Sequence, residues 1–324
     1  MAGSRPSQFQ FSVSGPLRLY STAELLALPP PKWLVDEVLP EGAVTALYGP
    51  PESAKSFLAI DLALCVATGL PWHGHKVQQG RVVYIAAEGG AGISKRVRAW
   101  LTHYQKEGAQ ISWLIESLAI YKGSGDIDTL MTRLDETEQK PKLIVVDTLA
   151  RCLEGNENQQ EDMGRFISGL DHFRHEYGST LMALHHTNLS GERERGNTAL
   201  RGGLDTMLSV ENVEHNAHGS VTEMTVICSK QKDAEHFAKL EFQLIPVEGT
   251  ASCVVVTNGR QQAKLEKQIE ILQILINQGP MSWDAWASST SKQNIPKTTF
   301  HRHFTELRNA VRIIKENGRW RAVS

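Results

Sequence analysis

The sequence lacks the features that are typical of secreted and membrane proteins. Its four cysteines, Cys65, Cys152, Cys228 and Cys253, have no paired spacing. We therefore expect reduced, buried thiols, and neither a disulfide framework nor a zinc site. No apolar run is long enough to span a bilayer. The first eleven residues are polar and lack the basic and then apolar order of a secretory signal. These absences predict a cytoplasmic protein.

A strong overall charge is also missing, because the net charge is only −2. The charge is distributed unevenly, however. Residues 264–324 hold ten Lys and Arg against five Asp and Glu, a balance of +5, which leaves −7 on the rest of the chain. A small basic unit attached to an acidic body indicates a polyanionic partner for the C-terminal unit.

The length of 324 residues predicts more than one domain, and the patterns along the chain suggest where they divide. We expect an irregular N-terminal segment at 1–29, a main domain at 30–260 and a small domain at 264–324. Within the first segment, Ser21 or Thr22 is a candidate N-cap for a short helix that the following prolines end.

The main domain alternates β-rich apolar runs with amphipathic stretches, which predicts an α/β fold with a parallel sheet and helices on both faces. The predicted strands are Val44–Tyr48, Val82–Ala86, Leu143–Asp147, Thr180–Leu184 and Thr222–Cys228. The predicted helices are Ser56–Thr68, Gly92–Gln105, Ile127–Thr137 and Asp162–Tyr177.

The stretch ALYGPPESAKSFLAIDLA, residues 46–63, is close to a phosphate-binding loop between a strand and a helix. Such a loop presents backbone N–H groups to phosphates, its lysine reaches the β- and γ-phosphates, and its hydroxyl binds Mg²⁺. Ala54 stands where glycine is usual, and we expect it to be tolerated because alanine suits a helical start. The predicted nucleotide-binding residues are Gly49, Pro50, Pro51, Glu52, Ser53, Ala54, Lys55, Ser56 and Phe57.

Further polar residues end other predicted strands, and ligands of open α/β sheets bind at the carboxyl ends of strands. Asp147 is a candidate Mg²⁺ ligand together with Ser56, or alternatively a helix cap. Glu88 is a candidate general base for water, or alternatively a solvated loop carboxylate. His185 and His186 fit either a sensor of the γ-phosphate or packed imidazoles at a strand end.

Taken together, these blocks resemble the RecA-like ATPases of the hexameric RepA replicative-helicase type, which are common in plasmids, phages and mobile elements. The resemblance covers about 32–257. It rests on five segments in the same order as in that family: LYGPPESAKSFLAIDLALCVATGLPWHG, GRVVYIAAEG, LIVVDTLARCLEGNENQQEDMGRFI, LMALHHTNLSGERERGNTALRGGLDTMLSVE and VICSKQKDAE. The residue before the lysine varies in that family, which again favours a working site.

The resemblance implies an ATPase that assembles into a ring, with ATP and Mg²⁺ between subunits. It implies catalytic roles for Lys55 and Glu88, with His186 as the sensor that couples the γ-phosphate to a DNA-binding loop. Lys230 and Lys232 are implied to reach into the neighbouring subunit's site, although an arginine is often expected there and Lys is less suited to bidentate phosphate contact. Arg201 is a second candidate, and a charged, solvated strand end is the alternative for this segment.

The segment NLSGERERGNTALRGG, residues 188–203, occupies the position of the family's DNA-contacting loop. Arg193, Arg195 and Arg201 are therefore candidate contacts to single-stranded DNA phosphates. Two glutamates dilute this charge and no aromatic residue offers a stacking surface, so a flexible surface loop is the alternative.

The C-terminal unit resembles a winged helix-turn-helix, with a long helix, a second helix carrying a basic face, and a basic hairpin. Thr298 or Thr299 is a candidate cap of the basic helix. Arg302, Arg308, Arg319 and Arg321 are candidate DNA contacts, and protein docking is the alternative use of such a module.

These patterns favour a DNA helicase or translocase that acts in the replication of a mobile element. We expect it to have no membrane partner and to assemble as a homohexameric ring. An ATP-switched initiator or regulator that binds DNA is the first alternative, and a filament-forming recombination ATPase is the second. The C-terminal unit that resembles a winged helix-turn-helix favours an initiator or regulator over a filament that binds DNA without sequence specificity.

Overall fold

The computed structural model describes residues 19–88, 90–137, 139–186, 198–309 and 312–323. The chain divides into two compact units, Met1–Thr257 and Asn258–Ser324. Three of the four cysteines are buried and Cys253 is half-buried, and all four are free thiols.

The first unit is built on a nine-stranded sheet with the order β11-β10-β9-β8-β3-β7-β6-β4-β5. Two short strands, β1 (Trp33–Val35) and β2 (Leu39–Pro40), form a separate pair before it. The strands of the large sheet are β3 (Val44–Gly49), β4 (Val82–Ala86), β5 (Ile111–Leu114), β6 (Leu143–Asp147), β7 (Thr180–His186), β8 (Thr206–His215), β9 (Val221–Gln231), β10 (Leu240–Val247) and β11 (Ser252–Thr257).

Six neighbouring strands, from β8 to β5 in that order, are parallel, which confirms the α/β class. The prediction that Thr222–Cys228 belongs to the parallel part is wrong. That stretch lies in β9, which runs antiparallel to β8, as β10 does to β9 and β11 to β10. Only 216–220 separate β8 from β9, which is a hairpin connection and far too short for a parallel crossover.

Helices cover both faces of the sheet, as the apolar runs predicted. In β6, Leu143 and Val145 pack in one core cluster with the helices at 55–68 and 90–104, whereas Ile144 and Val146 pack in the other with the helices at 125–135 and 160–177. This alternation follows from the two-residue period of a strand. The helices are α1 (Thr22–Leu26), α2 (Lys55–Thr68), α3 (Gly90–Tyr104), α4 (Gly125–Asp135), α5 (Leu149–Cys152), α6 (Gln160–Tyr177) and α7 (Thr198–Gly203).

The four long helices begin and end within two residues of the bounds that the sequence predicts. The short N-terminal helix α1 is also present, and Ser21 is its N-cap. The Ser21 side chain accepts a hydrogen bond from the backbone N–H of Glu24, whose carboxylate accepts one in return from the N–H of Ser21. This capping box satisfies two backbone donors at the start of the helix.

The loop between β3 and α2 has two residues in the left-handed region, Glu52 (φ 58°) and Ala54 (φ 62°). The expectation that Ala54 has helical φ and ψ is therefore wrong: this residue precedes α2 with left-handed backbone. Gly49 is needed for a different reason, because a Cβ there would lie 2.9 Å from the carbonyl oxygen of Val210 in β8. The loop thus keeps glycine where space is short and has alanine where the backbone favours glycine.

The second unit contains three helices and a hairpin. They are α8 (Gly259–Gln278), α9 (Trp283–Lys292), α10 (Lys297–Asn309), β12 (Ile313–Glu316) and β13 (Arg319–Ala322). Its core includes Trp286, Phe300, Phe304 and Leu307, the last three of which recur at helical spacing in α10. Met281, between α8 and α9, exchanges two backbone hydrogen bonds with Trp320 of β13 and so adds a third, one-residue rung to the hairpin.

The prediction that Thr298 or Thr299 caps α10 is wrong, because the helix begins before both residues. The carbonyl oxygen of Pro296 accepts a hydrogen bond from the N–H of Phe300, so the helical bonding begins at Pro296. Thr298 and Thr299 therefore lie in the first turn of α10 and not at its cap.

We expect Ala54→Gly to raise the free energy of unfolding by about 1 kcal/mol. Left-handed backbone costs an L-residue about 1–2 kcal/mol, and glycine avoids this cost. Part of the stabilisation is lost because glycine gives the unfolded chain more conformational entropy. Urea unfolding measures the change. Ala59→Gly, in the buried interior of α2, is the matched control and should lower the same free energy by about 1 kcal/mol or more. A loss of stability in both variants would contradict the strain at Ala54.

Candidate nucleotide-binding site

The Lys55 ammonium lies inside the loop that joins β3 to α2. Its Nζ donates hydrogen bonds to the carbonyl oxygens of Gly49 (3.1 Å) and Pro50 (2.6 Å) and to Oγ of Ser53 (3.3 Å). The side chain is buried, and burial lowers its pKa to about 8, although the negative charges of Asp147 and Glu88 oppose that change. The loop therefore holds a desolvated cation at the start of a helix, where phosphate groups bind well.

Asp147 ends β6 as a buried carboxylate and contacts two hydroxyl groups. The Tyr84 hydroxyl donates to its Oδ2 over 2.8 Å, and the Ser56 side chain also makes a hydrogen bond to it. Burial raises the pKa of Asp147, whereas these two hydrogen bonds and the charge of Arg96 lower it. The nearest donors are neutral hydroxyl groups, so a divalent cation would stabilise the ionised form.

Ser56 and Asp147 together fit Mg²⁺, because hydroxyl and carboxylate oxygens are the hard ligands that this ion takes in phosphate sites. The structure brings both oxygens to the same place through the Ser56–Asp147 hydrogen bond. Tyr84 was not identified from the sequence, where it is one apolar strand residue among several.

Glu88 follows β4, next to the end of β6, because Ala86 and Asp147 are register partners. The Thr148 hydroxyl donates to Oε2 of Glu88 over 3.2 Å, and the Glu88 N–H donates to the Asp147 carbonyl oxygen over 3.2 Å. The Glu88 carboxylate is otherwise exposed to solvent. A charged oxygen acceptor is thus held beside the candidate metal ligand and is open to water.

Thr148 is the residue that sequence reasoning missed in this part of the site. It is buried, and only its position directly after Asp147 could have drawn attention to it. Its peptide bond with Asp147 is cis.

The two histidines end β7, the strand next to β3. His185 is the register partner of Tyr48 and is fully buried, whereas His186 is the register partner of Gly49 and is half-buried. His186 therefore lies level with the first residue of the phosphate-binding loop. Its role as a sensor stays a prediction.

The other predicted loop residues are exposed or half-buried. Pro51 and Glu52 are exposed, and Phe57 is half-buried in the first turn of α2. The Arg96 guanidinium carbon lies 4.5 Å from the centroid of the Phe57 ring, which is a cation–π contact. Arg96 in α3 is a second cation near Asp147, and nothing in the sequence distinguishes it from the neighbouring basic residues of the helix.

Lys230 and Lys232 do not join this site. Met207 is the register partner of Lys230, so both lysines lie where β3 and β8 begin, whereas the loop follows the end of β3. Four residues of β3, about 13 Å at the rise of a strand, separate the two edges. The Lys230 Nζ donates hydrogen bonds to the carbonyl oxygens of Arg201 and Leu204, and burial lowers the pKa of Lys230. Lys232 is more exposed, and its Nζ lies 3.6 Å from Oδ1 of Asp205.

The predicted DNA-contacting residues are divided between three places. Arg193 and Arg195 lie outside the described residues. Arg201 is on α7 and donates to the carbonyl oxygen of Ser229. In the second unit, Arg302 and Arg308 are exposed on α10 and Arg319 is exposed on β13, whereas Arg321 is bound to the Glu316 carboxylate through two hydrogen bonds.

None of the helices in the described part of the chain is both long enough and apolar enough to cross a membrane. Comparison with protein families finds a match to the family described as AAA domain, over residues 17–192. This range includes the loop around Lys55 and the strand ends with Glu88, Asp147 and His186. It covers more than half of the sequence, and its ATPase assignment agrees with the cation, the carboxylates and the hydroxyl that the fold brings together. The chain therefore belongs to the AAA domain family of P-loop ATPases.

Proposed function

We propose that the protein is an ATP-driven DNA helicase or translocase, resembling the RepA type, that acts in the replication of a mobile element. The observation that carries the hydrolytic part is the Glu88 carboxylate, held by Thr148 beside Asp147 and open to solvent. The helicase part is supported by the resemblance and by the position of the cations at the other edge of the sheet.

In the proposed reaction, the Glu88 carboxylate orients a water molecule and accepts its proton as the water oxygen attacks the γ-phosphorus. The bond from phosphorus to the β,γ-bridging oxygen breaks, which releases ADP and phosphate. Lys55 would stabilise the charge on the phosphate oxygens, and the Ser56 hydroxyl and the Asp147 carboxylate would hold a Mg²⁺ ion. That ion, when bound, would neutralise part of the negative charge of the phosphates. Positioning and charge stabilisation provide most of the catalysis.

Lys230 and Lys232 lie at the edge of the sheet opposite to the phosphate-binding loop. This position favours a head-to-tail assembly of subunits. A contact of this type places different surfaces of two subunits against each other, and it closes into a ring when the rotation allows. In such a ring the cations of one subunit would meet the nucleotide of the next. Lys232 is the better candidate for this contact, because Lys230 already binds two carbonyl oxygens of its own subunit.

A second candidate function, an ATP-switched initiator or regulator that binds duplex DNA, is favoured by the C-terminal unit. Its three helices, the Met281 rung and the β12–β13 hairpin follow the order of elements in a winged helix-turn-helix. Exposed Arg302 and Arg308 on α10 lie six residues apart, and Arg319 is on the hairpin. Recognition of duplex DNA by α10 fits an initiator as well as a helicase that is loaded at a defined site.

Steady-state ATP hydrolysis, measured with and without single-stranded DNA, tests the proposal. We expect single-stranded DNA to raise the rate several-fold, and Lys55→Ala to abolish the activity under both conditions because the phosphates lose their buried cation. A clear rate that does not respond to single-stranded DNA would favour the initiator. A rate equal to that of Lys55→Ala would contradict the ATPase.

Glu88→Gln should lower the turnover number by about 10²–10⁴-fold, which is the usual contribution of a general base. ATP affinity should change little, because the carboxylate acts on water and does not hold the phosphates. Fluorescence of a labelled ATP analogue measures the binding. Glu107→Gln, an exposed carboxylate after α3, is the control and should keep full turnover. Normal turnover in Glu88→Gln would assign the base to another residue.

The double variant Arg302→Gln and Arg308→Gln should bind duplex DNA more weakly, by about the same factor for every DNA sequence. The slope of log affinity against log salt concentration should become shallower by about 0.9 for each lost phosphate contact. A salt titration of binding to a labelled duplex measures this slope. Arg133→Gln on α4, which is also exposed, should leave the slope unchanged. An unchanged slope in the double variant would make the C-terminal unit a protein-docking module.

A further inference from the structure

Tyr84, in the middle of β4, contacts the candidate metal ligand Asp147 but has no part in the reaction proposed above. It is fully buried, and its hydroxyl donates a hydrogen bond to Oδ2 of Asp147 over 2.8 Å. Its ring lies beside the ring of Trp113 on β5, with 5.0 Å between the two centroids. A buried hydroxyl needs a hydrogen-bond partner, and here that partner is the carboxylate that would hold Mg²⁺.

The register of the sheet explains how a residue of β4 reaches the end of β6. Tyr84 is the register partner of Val145, and both side chains pack in the same core cluster. Side chains alternate along a strand, so Asp147 lies on the same face as Val145, about 7 Å further along β6. The long side chain of tyrosine covers this distance and ends in a donor. A phenylalanine would fill the same place in the sheet without a donor.

We propose that Tyr84 is a positioning residue for the metal ion, because its hydroxyl fixes the orientation in which the Asp147 carboxylate binds Mg²⁺. This inference rests on the ATPase function proposed above. The hydroxyl has a single proton and donates it to Oδ2, so it leaves Oδ1 of Asp147 to other partners. Groups that bind a metal ligand from behind orient it and set its affinity for the ion.

The chemistry of the donor fits this role. A neutral hydroxyl holds the carboxylate without neutralising its charge, whereas an ammonium or guanidinium group in the same place would form an ion pair that competes with Mg²⁺. The alternative role of Tyr84 is structural, with a hydroxyl that is only satisfied within the core. The two roles differ in one measurable property, because a structural hydrogen bond affects stability but not the requirement for the ion.

Binding of a fluorescent, non-hydrolysable ATP analogue to the full-length protein tests this role without turnover. The affinity is measured in EDTA and at a series of Mg²⁺ concentrations. In Tyr84→Phe, we expect the Mg²⁺ concentration that gives half of the increase in binding to rise about 10–100-fold, which is the usual loss when such a partner is removed. The affinity in EDTA should stay unchanged, because the hydroxyl acts only through the metal ligand.

Hydrolysis of ATP gives a second readout of the same variant. The Mg²⁺ concentration at half-maximal turnover should rise by the same factor as in the binding experiment. Turnover at saturating Mg²⁺ should largely recover, because Lys55 and Glu88 are unchanged. The defect thus lies in the requirement for the ion and not in the chemical step.

Tyr177→Phe is the matched control. The Tyr177 hydroxyl donates a hydrogen bond of the same type to Oδ1 of Asp135 over 3.0 Å, and its ring packs in the other core cluster. This variant loses a tyrosine–aspartate hydrogen bond on the opposite face of the sheet. Its stability should fall, but its requirement for Mg²⁺ should equal that of the unmodified chain.

Three results with Tyr84→Phe would overturn the proposal. They are an unchanged requirement for Mg²⁺, a loss of affinity that is equal in EDTA and in Mg²⁺, and a failure to fold, which would make the hydrogen bond structural. Failure of the ATPase function itself has a different sign, because the unmodified chain would then not bind the analogue. If Mg²⁺ does not strengthen binding to the unmodified chain, the metal site at Asp147 is wrong and this role is excluded with it.

Discussion

Parallel strand pairing at the centre of the sheet is the constraint on which the candidate site depends. The strands β3, β7, β6 and β4 all run in one direction, so the loop and the polar residues that follow them come to one edge. Gly49 is level with His186, and Ala86 is level with Asp147. Ligands of open α/β sheets bind at this edge because helix N-termini and free loop N–H groups converge there.

The electrostatics of that edge explain why it suits a phosphate and a metal ion. Lys55 is buried among carbonyl oxygens, and its lowered pKa reflects the cost of removing a cation from water. Asp147 is buried among hydroxyl groups, and its raised pKa reflects the same cost for an anion. For both groups, a bound nucleotide with its cation would offset the desolvation cost of the charged form, which agrees with an ATPase.

The antiparallel edge of the sheet has a different use. The hairpin between β8 and β9 returns the chain to the edge where the parallel strands begin, and this places Lys230 and Lys232 at the opposite edge of the sheet from the loop of their own subunit. In the head-to-tail assembly proposed above, cations in that position would face a neighbouring subunit. The geometry therefore links the topology of the sheet to the proposed assembly.

Much of the fold followed from the sequence, because strand and helix periods are local properties. The α/β class, the bounds of the four long helices of the first unit and a helix cap at Ser21 or Thr22 were predicted in this way. The direction of β9 was predicted incorrectly, since the apolar pattern of a strand does not contain its direction; the short hairpin loop decides it. Lys55, Glu88 and Asp147 could be named as candidate site residues because their motifs mark strand ends.

What the sequence alone determined is thus the set of elements and the residues that end them, since both depend on neighbours along the chain. The tertiary structure decided which groups meet. It brought Thr148 to Glu88, Tyr84 and Ser56 to Asp147, and Arg96 to Phe57, all across gaps of tens of residues. It also gave Ala54 left-handed backbone, because the loop must turn between a fixed strand and a fixed helix, a requirement that helix propensity does not express.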